Sequence, residues 1–264
     1  MQARLPDLVE AQATERPVKP PAEKPPPFVR RLTVELPDDE DERRGYPFSL
    51  PAIHHLGELH LHSPVTVFVG ENGSGKSTLL EAIAVSLGLN AEGGSKNLRF
   101  ATRASHSKLY ERLVVTRGAS RPRNSFFLRA ESFYNVASAL EEIDPGAEGY
   151  GGTPLHHQSH GESFLALFLH RFGPHGLYLL DEPESALSPQ RQLALLVRMH
   201  ELVAAGSQFL IATHAPILMG FPGAQVLQFT NSGLEEVDAE RTEHWLVAKR
   251  FLADPQSMLR DLLG

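Results

Sequence analysis

The chain has 264 residues and a formal net charge of −7; 41% of its residues are hydrophobic and 22% are charged. This balance predicts a globular protein with one large domain and argues against a wholly basic nucleic-acid-binding protein. Because the chain has no cysteine, disulfides, zinc–thiolate sites and cysteine nucleophiles are excluded.

The amino-terminal segment, residues 1–27, is predicted to be a tail. It contains seven prolines among scattered charges, and such a composition cannot bury enough apolar surface to fold. We therefore expect a disordered tail before a domain that spans residues 28–264. The segment lacks the apolar core of a secretory signal, and the chain has no run of about 18 apolar residues, so a cytoplasmic location is expected.

Four segments precede the first motif. Residues 28–36 alternate between apolar and polar side chains, which predicts an edge strand. The acidic run 38–42 is interpreted as a solvated loop. Residues 56–62 are interpreted as a second strand, leading directly into a third, apolar and β-branched strand over residues 65–69.

Residues 70–78, Gly-Glu-Asn-Gly-Ser-Gly-Lys-Ser-Thr, fit the phosphate-loop pattern G-x-x-x-x-G-K-[ST] at every fixed position. The segment lies between a predicted strand and a predicted helix, as phosphate binding at a helix N-terminus requires. Lys76 is expected to reach the β- and γ-phosphates, and Ser77 to offer its hydroxyl to Mg²⁺. The motif therefore predicts a nucleoside-triphosphate site formed by Gly70, Asn72, Gly73, Ser74, Gly75, Lys76, Ser77 and Thr78.

A local excess of positive charge follows the predicted helix. Between residues 96 and 129, nine basic side chains accompany one acid, Glu111. Two strands are predicted there, over residues 109–116 and 125–130. The excess could bind a nucleic-acid backbone, but we favour an ordinary charged sheet edge because few aromatic residues are present for base stacking. The basic residues are Lys96, Arg99, Arg103, Lys108, Arg112, Arg117, Arg121, Arg123 and Arg129.

The second half of the chain adds acidic and histidine candidates at predicted strand ends. A helix is predicted to begin near residues 159–162, and an apolar strand over 177–180 leads into Asp181 and Glu182. Asp181 is placed to hold the Mg²⁺ shared with Ser77, and Glu182 to polarise an attacking water. The next strand, 208–212, leads to His214.

Further elements are predicted toward the carboxyl terminus. Ser188 and Pro189 predict a helix start, because serine caps helices and proline suits the first turn. A strand is expected over 226–229. Thr242 is expected to cap a helix, and Pro255 to begin a last amphipathic segment.

These motifs, in this order and spacing, resemble the ATP-binding-cassette class of ATPases, in particular compact, SMC-like predicted bacterial ATPases without coiled-coil arms. The resemblance covers most of the chain from about Phe28. It implies an α/β P-loop fold in three layers, with a mostly parallel central sheet, an antiparallel β-subdomain and a reduced helical subdomain. Residues 159–162, Ser-His-Gly-Glu, resemble the family signature Ser-Gly-Gly-Gln.

The resemblance also implies roles for individual residues. Lys76 and Mg²⁺ would neutralise phosphate charge, Glu182 would orient the water, and His214 would hydrogen-bond the γ-phosphate or the water. Ser159 and Gly161 would contact the γ-phosphate held by a second copy, which implies a head-to-tail homodimer with two ATP molecules. Glu131 stands where the family has a Mg²⁺-sensing glutamine and is assigned that metal role.

Three residues depart from the family pattern. His160 stands where glycine is usual, Glu162 where glutamine is usual, and Ser188 where aspartate is usual. His160 adds a side chain at the implied interface, so dimerisation is expected to be slow, pH-sensitive or partner-dependent.

Three functions remain open from the sequence. The favoured one is a Mg²⁺-dependent ATPase whose dimerisation acts on a nucleic acid or a protein. A transporter motor is disfavoured because only one helix, over residues 135–142, is expected between Glu131 and Ser159, although a membrane subunit stays possible. A regulatory module that binds ATP without hydrolysing it is disfavoured by Lys76, Asp181 and Glu182.

Overall fold

The computed structural model describes residues 28–95, 107–143 and 152–264. The predicted tail, residues 1–27, lies outside this part of the chain, as do Lys96, Arg99 and Arg103 of the basic stretch. Within the described residues, a seven-stranded mixed sheet and a three-stranded antiparallel sheet form the framework. No helix in this part of the chain has the length and apolarity that crossing a membrane requires.

The large sheet has the strand order β10-β9-β3-β8-β7-β6-β4, and the small sheet has the order β2-β1-β5. Pairing is parallel from β9 through β6 and antiparallel at both edges of the large sheet. The strands are β1 (Val29–Val34), β2 (Glu58–His60), β3 (Val65–Val69), β4 (Gly94–Ser95), β5 (Leu113–Arg117), β6 (Asn124–Arg129), β7 (Gly176–Asp181), β8 (Gln208–Ala212), β9 (Gln225–Thr230) and β10 (Gly233–Glu236).

Ten α-helices lie within the described residues, and several span only one turn. They are α1 (Glu40–Arg44), α2 (Pro51–His54), α3 (Lys76–Ser86), α4 (Leu109–Arg112), α5 (Phe133–Ile143), α6 (His160–His170), α7 (Pro189–Ala204), α8 (Pro216–Met219), α9 (Glu243–Ala253) and α10 (Pro255–Leu263).

The central strands β3, β7 and β8 of the large sheet are buried at every residue, as is typical of parallel strands covered on both faces. Side chains that alternate along each strand enter two different hydrophobic clusters. On β3, Val65, Val67 and Val69 pack with α5, α6 and α7, whereas Phe68 packs with α3 and the small sheet. The result is the three-layer α/β architecture expected from the sequence, with an antiparallel subdomain and a short helical region, which confirms the predicted fold class.

The structure departs from five predictions of local structure. The predicted edge strand 28–36 corresponds to β1, which is the central strand of the small sheet because it pairs with both β2 and β5. The acidic run 38–42 is not a loop, because Asp39 Oδ1 accepts the Glu42 N–H at 2.8 Å and caps α1. The strand predicted over residues 56–62 is present but shorter, as β2, and it pairs with β1. The expected strand 109–116 begins with a helical turn, α4, before β5. Thr242 precedes α9, but its hydroxyl donates to the Ala239 carbonyl instead of capping the helix.

One buried side chain joins the two sheets. Gln208, at the start of β8, accepts the Val29 N–H at 2.9 Å through Oε1 and donates to the Val29 carbonyl at 2.9 Å through Nε2. Both residues are almost completely buried. The amide of Gln208 therefore satisfies two backbone groups that water cannot reach.

Gln208→Leu should destabilise the protein because it leaves the Val29 N–H and carbonyl buried without partners. Each such group costs about 1–3 kcal/mol, so we expect a loss of about 2–5 kcal/mol in the free energy of unfolding. Urea denaturation measures it. The exposed Gln190, changed to leucine, is the matched control and should shift stability by about 0.5 kcal/mol or less. Equal stability of the two variants would contradict the bridging role.

Candidate active site at the carboxyl ends of the parallel strands

The phosphate loop begins where β3 ends and continues into α3. Gly70, Gly73 and Gly75 have φ values of +147°, +79° and +105°, which favour glycine. At Gly70 a Cβ atom would lie 2.9 Å from Cβ of Phe229, so this position has no room for a side chain. The sequence motif thus has a geometric basis in both backbone angle and packing.

Lys76 lies inside the loop, with 4% of its surface exposed. Its Nζ donates to the carbonyl oxygens of Gly70 and Glu71, both at 2.8 Å. Burial lowers the pKa of Lys76, whereas the nearby carboxylates of Glu182 and Asp181 act in the opposite direction. The ammonium group is therefore held by the backbone that a phosphate would contact.

A cavity of about 490 Å³ opens beside the loop. Its lining includes Asn72, Gly73 and Ser74, together with residues at the end of β9. The Ser74 hydroxyl is buried without a hydrogen-bond partner in the described structure. This donor is available to a ligand of the loop.

Ser77 and Asp181 meet although 104 positions separate them in the chain. Ser77 Oγ donates to Asp181 Oδ1 at 2.8 Å, which joins the start of α3 to the end of β7. Between their strands lies β8, so the contact spans one intervening strand. Two oxygen ligands of the kind that Mg²⁺ prefers are therefore adjacent.

Arg129, the last residue of β6, also contacts Asp181. Its Nε lies 3.4 Å from Asp181 Oδ2, and its Nη1 donates to Glu81 of α3 at 2.8 Å. Burial raises the pKa of Asp181 from 3.8 to about 6, and the Arg129 charge and the Ser77 hydrogen bond act against this rise. The carboxyl group of Asp181 is thus costly to ionise even with the Arg129 charge beside it, because the cost of burial is larger.

Glu182 and His214 face each other across the ends of β7 and β8. His214 Nε2 lies 3.6 Å from Glu182 Oε1, and this nitrogen is buried without a hydrogen-bond partner in the described structure. Glu182 has a left-handed φ of +50°, a strained angle for a residue other than glycine and one found often at functional sites. Burial lowers the pKa of His214, with a further contribution from the Lys76 charge.

Two residues that the sequence analysis did not select hold His214. Glu184 Oε1 accepts the His214 backbone N–H at 2.5 Å, and burial raises the pKa of Glu184. The ring nitrogen Nδ1 of His214 lies 3.0 Å from Nε2 of His244, at the start of α9. The backbone and the ring of His214 therefore have separate anchors.

The signature segment is at the start of α6, as predicted. Glu162 Oε2 accepts the Ser159 hydroxyl at 2.6 Å and the Ser159 N–H at 3.0 Å, as in a capping box. These bonds lower the pKa of Glu162 and give a structural reason for glutamate at this position. Gly161 is buried and has no room for a side chain. A Cβ atom there would lie 2.6 Å from the Ala186 carbonyl oxygen and 2.4 Å from Arg191.

The structure therefore brings together part of the predicted set. Lys76, Ser77, Asp181, Glu182 and His214 lie at one sheet edge. Ser159 is exposed, and no hydrogen bond or ion pair given for it in the described structure joins it to the phosphate loop. Glu131 points into solvent, with 88% of its side chain exposed, and its ion pair is with Arg129 at 3.6 Å. Glu131 makes no ion pair or hydrogen bond with Ser77 or Asp181 in the described structure, so the metal role predicted for it has no support from these contacts.

Four residues beside the site were missed. Tyr46, 65% exposed, lies next to the loop with its hydroxyl 3.0 Å from Thr78 Oγ1. Two of the others could have been found from the sequence. Arg129 is a charged residue at the end of an apolar strand, and Glu184 is a further acidic residue directly after Asp-Glu-Pro. No local pattern marks His244, because its partner is 30 positions away.

The donor set suits Mg²⁺ better than a metal bound only by the protein. Within the described residues, no group of three or more histidine, cysteine or acidic side chains could hold a metal ion. Ser77 and Asp181 instead offer two adjacent oxygens, and Mg²⁺ usually takes one or two protein ligands together with phosphate oxygens and waters. The chemistry of these residues therefore fits Mg²⁺ bound with a nucleotide.

Two family models match the chain. One, described as "AAA domain", matches residues 52–131, and the other, described as "AAA domain, putative AbiEii toxin, Type IV TA system", matches residues 139–220. The first contains the phosphate loop, and the second contains Ser159, Asp181, Glu182 and His214. Both matches are to AAA domains, which agrees with the resemblance to a P-loop ATPase drawn from the motifs.

Solved structures with a distant likeness include an SMC head domain from Thermotoga maritima, which is 16% identical, with a TM-score of 0.40 over 80% of this chain and 98% of that chain. Another is cbiO1 from Clostridium perfringens, part of the ABC transporter complex cbiONQ. It is 15% identical, with a TM-score of 0.43 over 86% of this chain and 97% of that chain. No curated protein matches the chain in sequence.

Asp181→Asn should stabilise the nucleotide-free and metal-free protein at alkaline pH. A carboxyl pKa raised from 3.8 to about 6 favours folding below pH 4, and this contribution is lost as the pH rises through 6. The asparagine variant avoids that loss, so its advantage should be small at pH 4 and reach up to about 3 kcal/mol at pH 8. Urea unfolding in EDTA between these pH values measures it. A difference between the two proteins that does not change with pH would contradict the prediction.

Proposed function

We propose that this protein hydrolyses ATP to ADP and phosphate in a reaction that depends on Mg²⁺. The observation that carries the proposal is the Ser77–Asp181 hydrogen bond of 2.8 Å, because it unites the phosphate loop with the acidic strand end. Phosphoryl transfer needs charge neutralisation and positioning more than covalent chemistry by the protein. The residues at this sheet edge are suited to both tasks.

Each side chain has a role that its position supports. Lys76 moves from the loop carbonyls to the β- and γ-phosphates, whose negative charge suits a buried ammonium group. Glu182 orients the attacking water and accepts its proton. His214, 3.6 Å from Glu182, donates from Nε2 to the γ-phosphate. Ser77 and Asp181 would hold Mg²⁺, which would add to the neutralisation of phosphate charge.

Tyr46 offers a contact for the base of a bound nucleotide. Its ring is exposed beside the phosphate loop while its hydroxyl is fixed by Thr78 at 3.0 Å. An exposed aromatic face of this kind is suited to stacking on a nucleobase. The phosphate-loop motif does not by itself identify Tyr46 as a contact for the nucleobase.

We also propose that two copies enclose two ATP molecules. The support is that Ser159 is exposed at the start of α6 while its own chain leaves it without a contact to the phosphate loop. Its hydroxyl donates to Glu162, so docking on a γ-phosphate would require this bond to be exchanged. Gly161 is buried against its own chain, so its contribution in a dimer would be to allow close packing of the segment.

A nucleic acid or another protein as the partner of the ATPase remains a prediction. In the described part of the basic stretch, Arg129 is ion-paired with Glu81 and Asp181, and Arg117 donates to the Ser86 carbonyl at 3.4 Å. These two cations are engaged within the protein, which makes them less available to a nucleic-acid backbone. A membrane subunit, a cytoplasmic location and the regulatory alternative likewise stay predictions.

Glu182→Gln should bind ATP normally and hydrolyse it at least about 100-fold more slowly, because an amide cannot accept the proton of the water. If two copies share the nucleotide, this variant should accumulate as a dimer in saturating Mg-ATP. Phosphate release and sedimentation velocity measure the two effects.

The controls separate hydrolysis from dimerisation. Ser159→Ala, combined with Glu182→Gln, should bind ATP and remain a monomer. A Glu182→Gln protein that binds ATP but sediments only as a monomer would overturn the dimer. A Glu182→Gln protein with undiminished hydrolysis would overturn the role of this carboxylate.

A further inference from the structure

His244 is the side chain outside the motifs that reaches farthest into the site. It is the second residue of α9, and its Nε2 lies 3.0 Å from Nδ1 of His214, with the ring centroids 4.9 Å apart. The neighbouring Trp245 packs against Gly220 and the main hydrophobic cluster. The start of α9 is therefore anchored, and His244 is held beside His214.

The surroundings of His214 decide which ring nitrogen carries its proton. Nε2 is buried, lacks a hydrogen-bond partner in the described structure and lies 3.6 Å from the Glu182 carboxylate. A nitrogen lone pair in that position would face the negative oxygen, whereas an N–H would be attracted to it. The neutral ring therefore carries its proton on Nε2.

This assignment fixes the direction of the hydrogen bond between the two histidines. With the proton of His214 on Nε2, its Nδ1 is an acceptor, so Nε2–H of His244 is the donor. The bond restrains the rotation of the His214 ring and disfavours the alternative tautomer. Burial also lowers the pKa of His214, which keeps its ring neutral near pH 7.

We propose that His244 is a positioning residue for hydrolysis, which holds His214 in the orientation and tautomer that present Nε2–H to the γ-phosphate. Glu184 complements it by holding the His214 backbone. The inference rests on the proposed function of His214. It adds to the ATPase site a contribution from α9, a helix beyond both matched family regions.

Two substitutions of His244 test the hydrogen bond. His244→Leu removes the donor, while His244→Gln retains an amide N–H the same number of bonds from Cα. We expect kcat for ATP to fall roughly 10- to 100-fold in the leucine variant, with KM changed less than about 2-fold, and to recover largely in the glutamine variant. Lys249→Ala, an exposed change on the same helix, is the control and should retain the wild-type rate.

The tautomer of His214 provides a second readout that a purely structural role would not move. In histidine labelled with ¹⁵N, assigned with a His214→Ala sample, the proton should reside on Nε2 in the wild type and in His244→Gln. In His244→Leu the Glu182 contact still favours Nε2–H, but Nδ1 has lost its donor, so a measurable fraction of His214 should carry its proton on Nδ1. If the leucine variant unfolds, His244→Phe retains the ring volume without the donor and takes its place.

The two readouts separate this inference from the proposed function. A proton on Nδ1 of His214 in the wild type, or a leucine variant with unchanged kcat and spectrum, would overturn the positioning role. The spectra need no ATP, so a wild-type protein that shows the expected tautomer without hydrolysing ATP would overturn the proposed function alone.

Discussion

Parallel pairing from β9 to β6 is the constraint on which the rest of the structure depends. Parallel strands bring their carboxyl ends to one edge of the sheet, where ligands of open α/β sheets bind. The phosphate loop, His214, Asp181 and Arg129 each follow or end one of these strands. Residues that are distant in sequence thus become neighbours through the topology of one sheet.

Several ionisable side chains are buried at the carboxyl ends of the parallel strands, where keeping them charged costs free energy. Lys76, Asp181 and Glu184 are substantially buried, and burial shifts the pKa of each toward its neutral form. Arg129 and Ser77 offset part of this cost at Asp181. Such shifted groups cluster at functional sites, because a bound ligand of complementary charge can supply the missing compensation. In the proposed reaction, ATP and Mg²⁺ are that ligand.

The sequence predicted those parts of the site that a short motif or a strand end marks. The phosphate loop was found from its glycine spacing, the buried β3, β7 and β8 from apolar runs, and the start of α6 from the helical spacing of apolar residues. The fold class followed from the resemblance of these motifs to a family. Local patterns were sufficient here because each feature depends on residues within a few positions of one another.

What the sequence did not predict depends on contacts between distant segments. The prediction for the acidic run 38–42 was wrong because Asp39 caps a helix there, whereas charge alone favoured a loop. Arg129 replaces Glu131 as the charged neighbour of Asp181, since only the folded β6 directs its side chain inward. The pairing of His244 with His214 joins α9 to the end of β8 and has no signature in either segment.

The central claim is that Lys76, Ser77 and Asp181 form one site for Mg-ATP that supports hydrolysis. Steady-state phosphate release by the wild type and by Lys76→Ala, with Mg²⁺ or with EDTA, tests it most directly. We expect steady release by the wild type with Mg²⁺, and release slower by roughly 100-fold or more in the variant and in EDTA. Release by Lys76→Ala at the wild-type rate, or no release by the wild type, would contradict it.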